Sequence, residues 1–464
     1  MFWNLNRLLT AVFLVLLAGA FYFSYERILF SDAAFILTRI INSGSLQIQE
    51  HRYGSFVTQS FPLISSKLHL PLPVVVVLYS ISFNLFYLAV VLLLLFRFRE
   101  QGLAVLMAFY FLLFVSDTYF WTNNEVHQGI AWMFLFFAIT TKMKKDRARI
   151  IFFLPAFLVL AFLSVFTHPL VAFPLCFLWI LFLLQKRWAF RLWEIIFYSL
   201  LLAALCFWKF RFSTSESQSH YDVEKLQNAT QLHFELIRSA FTSPMAKEII
   251  SRSFTSYWLV PLLVTAGLWS AARQKKWLPI LLTLGTGVVY FLALCITFTD
   301  FMPFYMESEL MPLSIIATAL FVYYTLPLLK EKHALYILAF IFLTRFVYIA
   351  VAAPAWVDRK EWLMATLDKM KTGNVYKGYV VDEEKYRDRL FLTWGLPYES
   401  LLASAMNGEK PQRSFIMTGS EIPGWKMPKS PGEIMGSFEN HRAVDFNPYY
   451  FSIDTLTNYR QITP

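Results

Sequence analysis

Three cysteines are spread over 464 residues, at Cys176, Cys206 and Cys295, each inside an apolar run. With no CxxC and no paired framework, the chain is neither a disulfide scaffold nor a cysteine-based zinc protein. Charge is scarce too: Asp, Glu, Lys and Arg make up 16% of the residues, against roughly 25% in soluble domains. There is no internal repeat and no low-complexity tract. Nor is there an HExxH pair, since Glu125 and His127 stand two apart and diverge on a helix. No small-residue cleavage motif follows the first apolar run, Leu8–Tyr25, so that run reads as a retained span rather than a signal peptide.

What the chain has instead is grease. Hydrophobic residues reach 57%, aromatics 18%, and 48 residues are Phe, with mean hydropathy +0.50. Apolar runs ended by charge recur at Leu8–Tyr25, Pro73–Phe96, Gly102–Val115, Gly129–Thr141, Ile150–Phe166, Leu170–Leu184, Leu192–Trp208, Tyr257–Ala271, Leu278–Thr297, Leu310–Leu329 and Ala334–Ala353. These predict an all-α polytopic membrane protein with about eleven spans.

The net charge of +10 sits almost wholly in alternate turns: Arg7, then RFRE (97–100), KMKKDRAR (142–149), QKRWAFR (185–191), RQKK (273–276) and KEKH (330–333). The opposite loops and the C-terminal part are close to balanced. This is a positive-inside pattern, not a nucleic-acid footprint. It predicts a cytoplasmic N-terminus and an extracytoplasmic C-terminus. The longer loops, 26–71, 116–128, 209–256 and 298–309, then share the outer side. Two domains are expected: a transmembrane module over 1–353 and an extracytoplasmic α/β domain over 354–464. In the latter, helices are expected at Asp358–Lys371 and Pro397–Met406, with strands at Tyr379–Val381 and Ser414–Met417.

The first outer loop is too polar to span a bilayer and too regular to be slack. Apolar residues recur at three and four over Ala33–Ile41 and Phe56–Leu70, which predicts two amphipathic helices lying on the membrane surface. Asp32 precedes the first, as helix cap or as a general base held near the bilayer. Glu50, His51, Arg52 and Tyr53 follow in EHRYG, where a guanidinium suits phosphate capture and a local ion pair is the plainer reading. Further outer-side candidates are Glu125 and His127 in WTNNEVHQG, His168 in FTHPL, and Glu307 in YMESELMP, along with His220 and Asp300. Arg345 lies within the last span, where it either snorkels or holds a lipid phosphate.

This layout, with SDAAFILTRI around Asp32, HRYG at His51–Gly54, WTNNEVHQG around Glu125 and YMESELMP around Glu307, resembles the GT-C superfamily of membrane glycosyltransferases. The resemblance covers residues 1–353 and rests on layout. It implies transfer of a sugar from a polyprenyl-phosphate donor to a glycan, lipid or protein acceptor, on the outer face of a bacterial plasma membrane. Asp32 then resembles the first-loop acid that acts as base or orients the acceptor. Glu125 resembles the second-loop acid, and Arg345 is placed like a late-helix cation that holds lipid phosphate. The family's acidic doublet is missing, because Ala33 and Ala34 follow Asp32; no metal ligand is assigned, and dependence on a divalent metal stays open. Three other functions fit the same composition: an O-antigen ligase or polymerase acting on the same face, a secondary transporter, and a non-catalytic partner in envelope polysaccharide assembly. A transporter calls for inverted repeats and polar groups at mid-membrane, whereas the polar groups here crowd one surface.

Overall fold

The structure is a computed structural model that describes residues 3–142, 147–187, 190–213, 234–297, 302–381, 383–419, 428–436 and 438–464. His220 and Asp300 lie outside them. The chain is mostly helical: α1 (Trp3–Tyr22), α2 (Ser31–Ser43), α3 (Phe56–Lys67), α4 (Leu72–Leu92), α5 (Gln101–Leu112), α6 (Glu125–Thr141), α7 (Arg147–Thr167), α8 (Ala172–Leu184), α9 (Leu192–Ser213), α10 (Pro244–Phe254), α11 (Leu259–Arg273), α12 (Trp277–Thr297), α13 (Pro303–Leu320), α14 (Glu331–Thr372) and α15 (Leu396–Met406).

Among the described residues six helical stretches are long and apolar enough to cross a bilayer: Asn4–Tyr22, Leu72–Arg97, Leu192–Ser213, Trp277–Thr297, Pro303–Leu328 and Glu331–Thr372. A seventh arises if α10 and α11, bent by 80°, count as one broken span. The protein is therefore built as an integral membrane protein. Eleven full-length spans are not seen. The expected third, fifth and sixth coincide with the shorter apolar helices Gln101–Leu112, Phe153–Thr167 and Pro169–Leu184. Two of these are packed in protein: every residue of α5 from Leu103 onward is buried, as is most of α8.

The loops sort to two ends. At one, Glu100 pairs with Lys142 and Arg187, both at 3.0 Å. There Gln101 also reaches Asn6 at 2.7 Å, and Gln185 and Gln274 both bond Tyr324. The basic turns thus share that end. At the other, Arg52 meets Glu125, Lys360 meets Glu26 at 2.6 Å, and Trp356 donates to Asp117 at 3.1 Å.

Two expectations change here. The last span and the helix expected at Asp358–Lys371 are one continuous helix, α14, whose 42 residues run on past Pro354. At 1.5 Å per residue it is about 60 Å long, twice the hydrocarbon thickness. And α2 is not an exposed surface helix. Nine of its residues are buried, because the C-terminal segment covers the face that the bundle leaves open. Phe35 packs edge-on against Trp394, Tyr398 and Phe438, and Asn447 bonds both Ile41 and Asn42. By contrast α3 keeps Ile64 and the following Leu68 outward, as an interfacial helix would.

The C-terminal segment carries a three-stranded parallel sheet, β1 (Lys377–Val380) between β2 (Ser414–Met417) and the last short strand (Arg460–Gln461). An antiparallel pair, Glu433–Met435 with Asn440–Arg442, adds a second, smaller sheet. α15 packs on β2 and ends at Asn407, as its sequence suggests.

Arg345 is a pin for this architecture. Its guanidinium donates to the carbonyls of Leu112 (2.9 Å), Val115 (3.0 Å) and Ser256 (2.5 Å) and is 1% exposed. Leu112 and Val115 close the end of α5, where unpaired carbonyls and the helix dipole favour a cation. Arg345→Met should therefore cost about 3 kcal/mol or more, from the loss of charge-assisted hydrogen bonds. Thermal unfolding followed by size-exclusion fluorescence would register the loss, and activity per folded molecule should be little changed.

Candidate active site

Where the 26–71 loop, the 116–128 loop and the start of α13 meet lies a cavity of about 990 Å³. Asp32, Glu50, Arg52, Glu125 and His168 all line it. So do Arg39, Trp121, Lys209, Tyr305 and Glu309.

Asp32 stands in the first turn of α2. It is not the cap of that helix, a place taken by Phe30, which makes no side-chain cap bond. Its Oδ2 accepts from Trp121 Nε1 at 2.9 Å. Burial pushes the carboxyl up to about 6; the Trp121 bond opposes that, the nearby Glu125 charge adds to it, and Arg52 pulls it back. An acid poised there is a proton acceptor at neutral pH.

The segment that leads into Asp32 is clamped from the C-terminal side. The Ser31 amide donates to Glu399 Oε1 at 2.7 Å, and Glu399 Oε2 is held by Arg359 Nη2 at 2.7 Å. Arg359 also donates to Leu29, Leu390 and Leu392 carbonyls. Ser31 itself has φ 31°, outside the regions a serine prefers. Gly395 sits against it so closely that a Cβ there would lie 2.4 Å from Ser31 Cα. Only glycine permits this approach, which seats Trp394 at the cavity wall.

Glu125 opens α6, whose cap Asn124 accepts from Val126 N at 2.9 Å. Its carboxylate bonds Arg52 Nη1 at 2.8 Å, with both groups nearly buried. Glu50 and His51 are consecutive left-handed residues, φ 47° and 55°, a strained tip that turns Arg52 inward. Gly54 lets this tip touch α7: its N–H bonds Thr167 at 3.0 Å, and a Cβ there would clash with Thr167 Oγ1 at 2.0 Å. His168 caps the turn Pro169–Val171 through its Nδ1 to Leu170 N at 3.2 Å.

The remaining candidates are not brought to the cavity. Arg345 is committed to backbone carbonyls, as above. Glu307, wholly buried, accepts from Ser116 N (2.9 Å), Ser116 Oγ, Thr118 N (2.8 Å) and Tyr257 OH (3.3 Å). It braces the turn before Trp121. Because α13 begins at Pro303, YMESELMP is helix rather than loop. Residues two apart then point apart, and Glu309, not Glu307, faces the cavity. The same helical phase separates Glu125 from His127, which bonds Tyr110 OH at 2.8 Å and lines a separate space of about 40 Å³. His51 packs on Phe212, and Tyr53 stacks on Phe162.

Lys209, 2% exposed, is the cavity cation that the sequence hid. It stands near the end of an apolar run and reads there as the first residue of a loop, whereas α9 continues to Ser213. Around it the wall is membrane helix: Cys206, Phe207 and Phe210 from α9, Ala293 and Thr297 from α12. Phe207 is at once cavity wall and 66% exposed, on the outward apolar face of a candidate span. The cavity thus reaches the exposed apolar face of a candidate span. Among the described residues no three His, Cys, Asp or Glu side chains form a metal-ligating group. The chain matches no family model, no curated protein and no solved structure.

Proposed function

We propose that the protein is a membrane glycosyltransferase of GT-C type, moving a sugar from a polyprenyl-phosphate carrier to an acceptor hydroxyl on the extracytoplasmic face of a bacterial plasma membrane. One observation carries this reading: a half-buried carboxylate with a raised pKa shares a cavity with cations, and one wall of that cavity is the lipid-facing helix α9. A lipid-linked donor enters sideways past Phe207 and Phe210. Asp32 takes the proton of the acceptor hydroxyl as its oxygen bonds the anomeric carbon. The bond from that carbon to phosphate breaks, and the electron pair leaves on the phosphate oxygen. Arg52 and Lys209 meet the charge left there, with Glu125 fixing the guanidinium. The gathering of the basic turns at the opposite end supports a cytoplasmic N-terminus.

The test is transfer by the purified protein in mixed micelles, from a panel of polyprenyl-phosphate sugars, read as release of carrier phosphate. The rate should climb with pH through about 6, as Asp32 ionises, and level off above. No release from any donor, or a rate that falls as pH rises through that range, contradicts the proposal. A ligase-like reaction would draw on Arg39, Arg52 and His168 at the same cavity and would survive the loss of Asp32.

A further inference from the structure

At the other end of the bundle, among the basic turns, lies a second cavity of about 280 Å³ that the proposed reaction does not use. Its polar lining is unfinished. Arg187 gives Nη2 to Glu100 at 3.0 Å, but its Nη1 is buried with no acceptor. The Tyr323 hydroxyl, also in the wall, is buried beside the same guanidinium, which can only donate, and has no acceptor for its own proton. Buried donors are rarely left so unless something accepts from them. The guanidinium is held over the rings of Phe182 and Tyr323, at 4.6 and 5.0 Å from their centroids.

The pocket is built rather than left over. Tyr323 lies in a π-helical turn, Phe321–Thr325, an insertion of the kind found at functional sites. Gly102 makes room for its ring, since a Cβ there would come within 2.7 Å of it. α5 and α14 both begin at this cavity, with Gln101, Gly102, Glu331 and Ala334 in its lining. Two helix N-termini add positive potential to the free Nη1 edge of Arg187 and the Tyr323 O–H, and the combination suits a phosphate.

Two features choose the kind of phosphate. Leu5, Val105, Leu335 and Leu338 form an apolar wall, next to the outward face of α14, where Tyr336, Phe340 and Leu343 are exposed. Glu331 lines the cavity with no ion pair among the described residues, whereas Glu100 is already held by Lys142 and Arg187. A free phosphate ion needs neither the grease nor the acid. We infer that this cavity binds a zwitterionic glycerophospholipid of the leaflet opposite the active site: phosphate on Arg187 and Tyr323, primary ammonium on Glu331, acyl chains along Leu335 and Leu338. The inference does not depend on the proposed transfer reaction.

The test takes delipidated full-length protein and measures retention of phosphatidylethanolamine, phosphatidylglycerol and inorganic phosphate by native mass spectrometry. Phosphatidylethanolamine should bind with preference, and millimolar phosphate should not displace it. Tyr323→Phe, which keeps the ring and its packing, should weaken binding roughly tenfold, as should Arg187→Gln. Glu331→Gln should erase the preference over phosphatidylglycerol while leaving overall retention in place. Unchanged binding in Tyr323→Phe overturns the site. Displacement by phosphate overturns the lipid, leaving a simple anion site. A preference that survives Glu331→Gln overturns the headgroup assignment.

Discussion

Replacing Asp32 with Asn should reduce sugar transfer by about two to four orders of magnitude while making the folded protein more resistant to heat at pH 7 to 8. The two effects share one cause. Burial raises the carboxyl to about 6, so the folded state favours the protonated form more than the unfolded chain does. The native protein is relatively favoured below the ordinary carboxylate value of about 4. It loses that advantage as pH climbs through about 6, and above that it holds an ionised group in a poorly solvated place. Asparagine keeps an acceptor for Trp121 Nε1, removes the charge, and cannot take a proton. The melting temperature should therefore rise by about 2–6 °C at neutral pH and stay near wild type at pH 4. A variant that is inactive because it is misfolded would lose stability at both pH values.

The second large effect is expected far along the chain from the 26–71 loop, in the clamp from Arg359 and Glu399 to Ser31. Both side chains are almost wholly buried. Removing one leaves the other charge unpaired, at a cost of about 3–5 kcal/mol, so Arg359→Met and Glu399→Gln should each unfold well below wild type. The double variant Arg359→Met with Glu399→Leu should recover much of that stability, because a buried ion pair is often replaceable by apolar residues. It should not recover full transfer. The Ser31 amide has then lost its acceptor, and the turn that presents Asp32 at φ 31° for Ser31 is no longer held. Thermal melts and transfer rates on the four proteins separate the two roles. Parallel recovery of stability and activity would show the clamp to be structural only.

Periodicity and charge alternation made much of this molecule legible. Helix α2 could be located from Ala33 and its successors, α15 from its apolar stripe and Asn407, and β2 from a short β-rich run. The two-ended sorting of loops was written in the placement of Lys and Arg. What could not be read was which apolar faces are covered by protein and which by lipid. The same amphipathic signal fits α2, buried under Phe438 and Trp394, and α3, which keeps Ile64 outward. Hydropathy alone counts α5 as a span, although its residues are almost all packed in protein.

Helical phase decided the site in a similar way. Glu307 and Glu309 are equivalent as letters in a loop; once α13 starts at Pro303, one braces Ser116 and the other faces the cavity. Arg345 was conspicuous as a charge in a span, yet it is the carbonyls at the end of α5 that hold it. Lys209 was inconspicuous because it borders a predicted loop. The Arg359–Glu399 pair joins residues 40 apart, a contact that no local pattern announces.

The central claim is that the Asp32 cavity receives a lipid phosphate from the side. A photoreactive polyprenyl phosphate, reconstituted with the protein in nanodiscs and mapped by peptide mass spectrometry, tests it most directly. Adducts are expected on Cys206 to Phe210 of α9 and Ala293 to Thr297 of α12, lost when unlabelled polyprenyl phosphate is in excess. Adducts confined to other faces of the bundle, or labelling on α9 that excess carrier does not reduce, would contradict it.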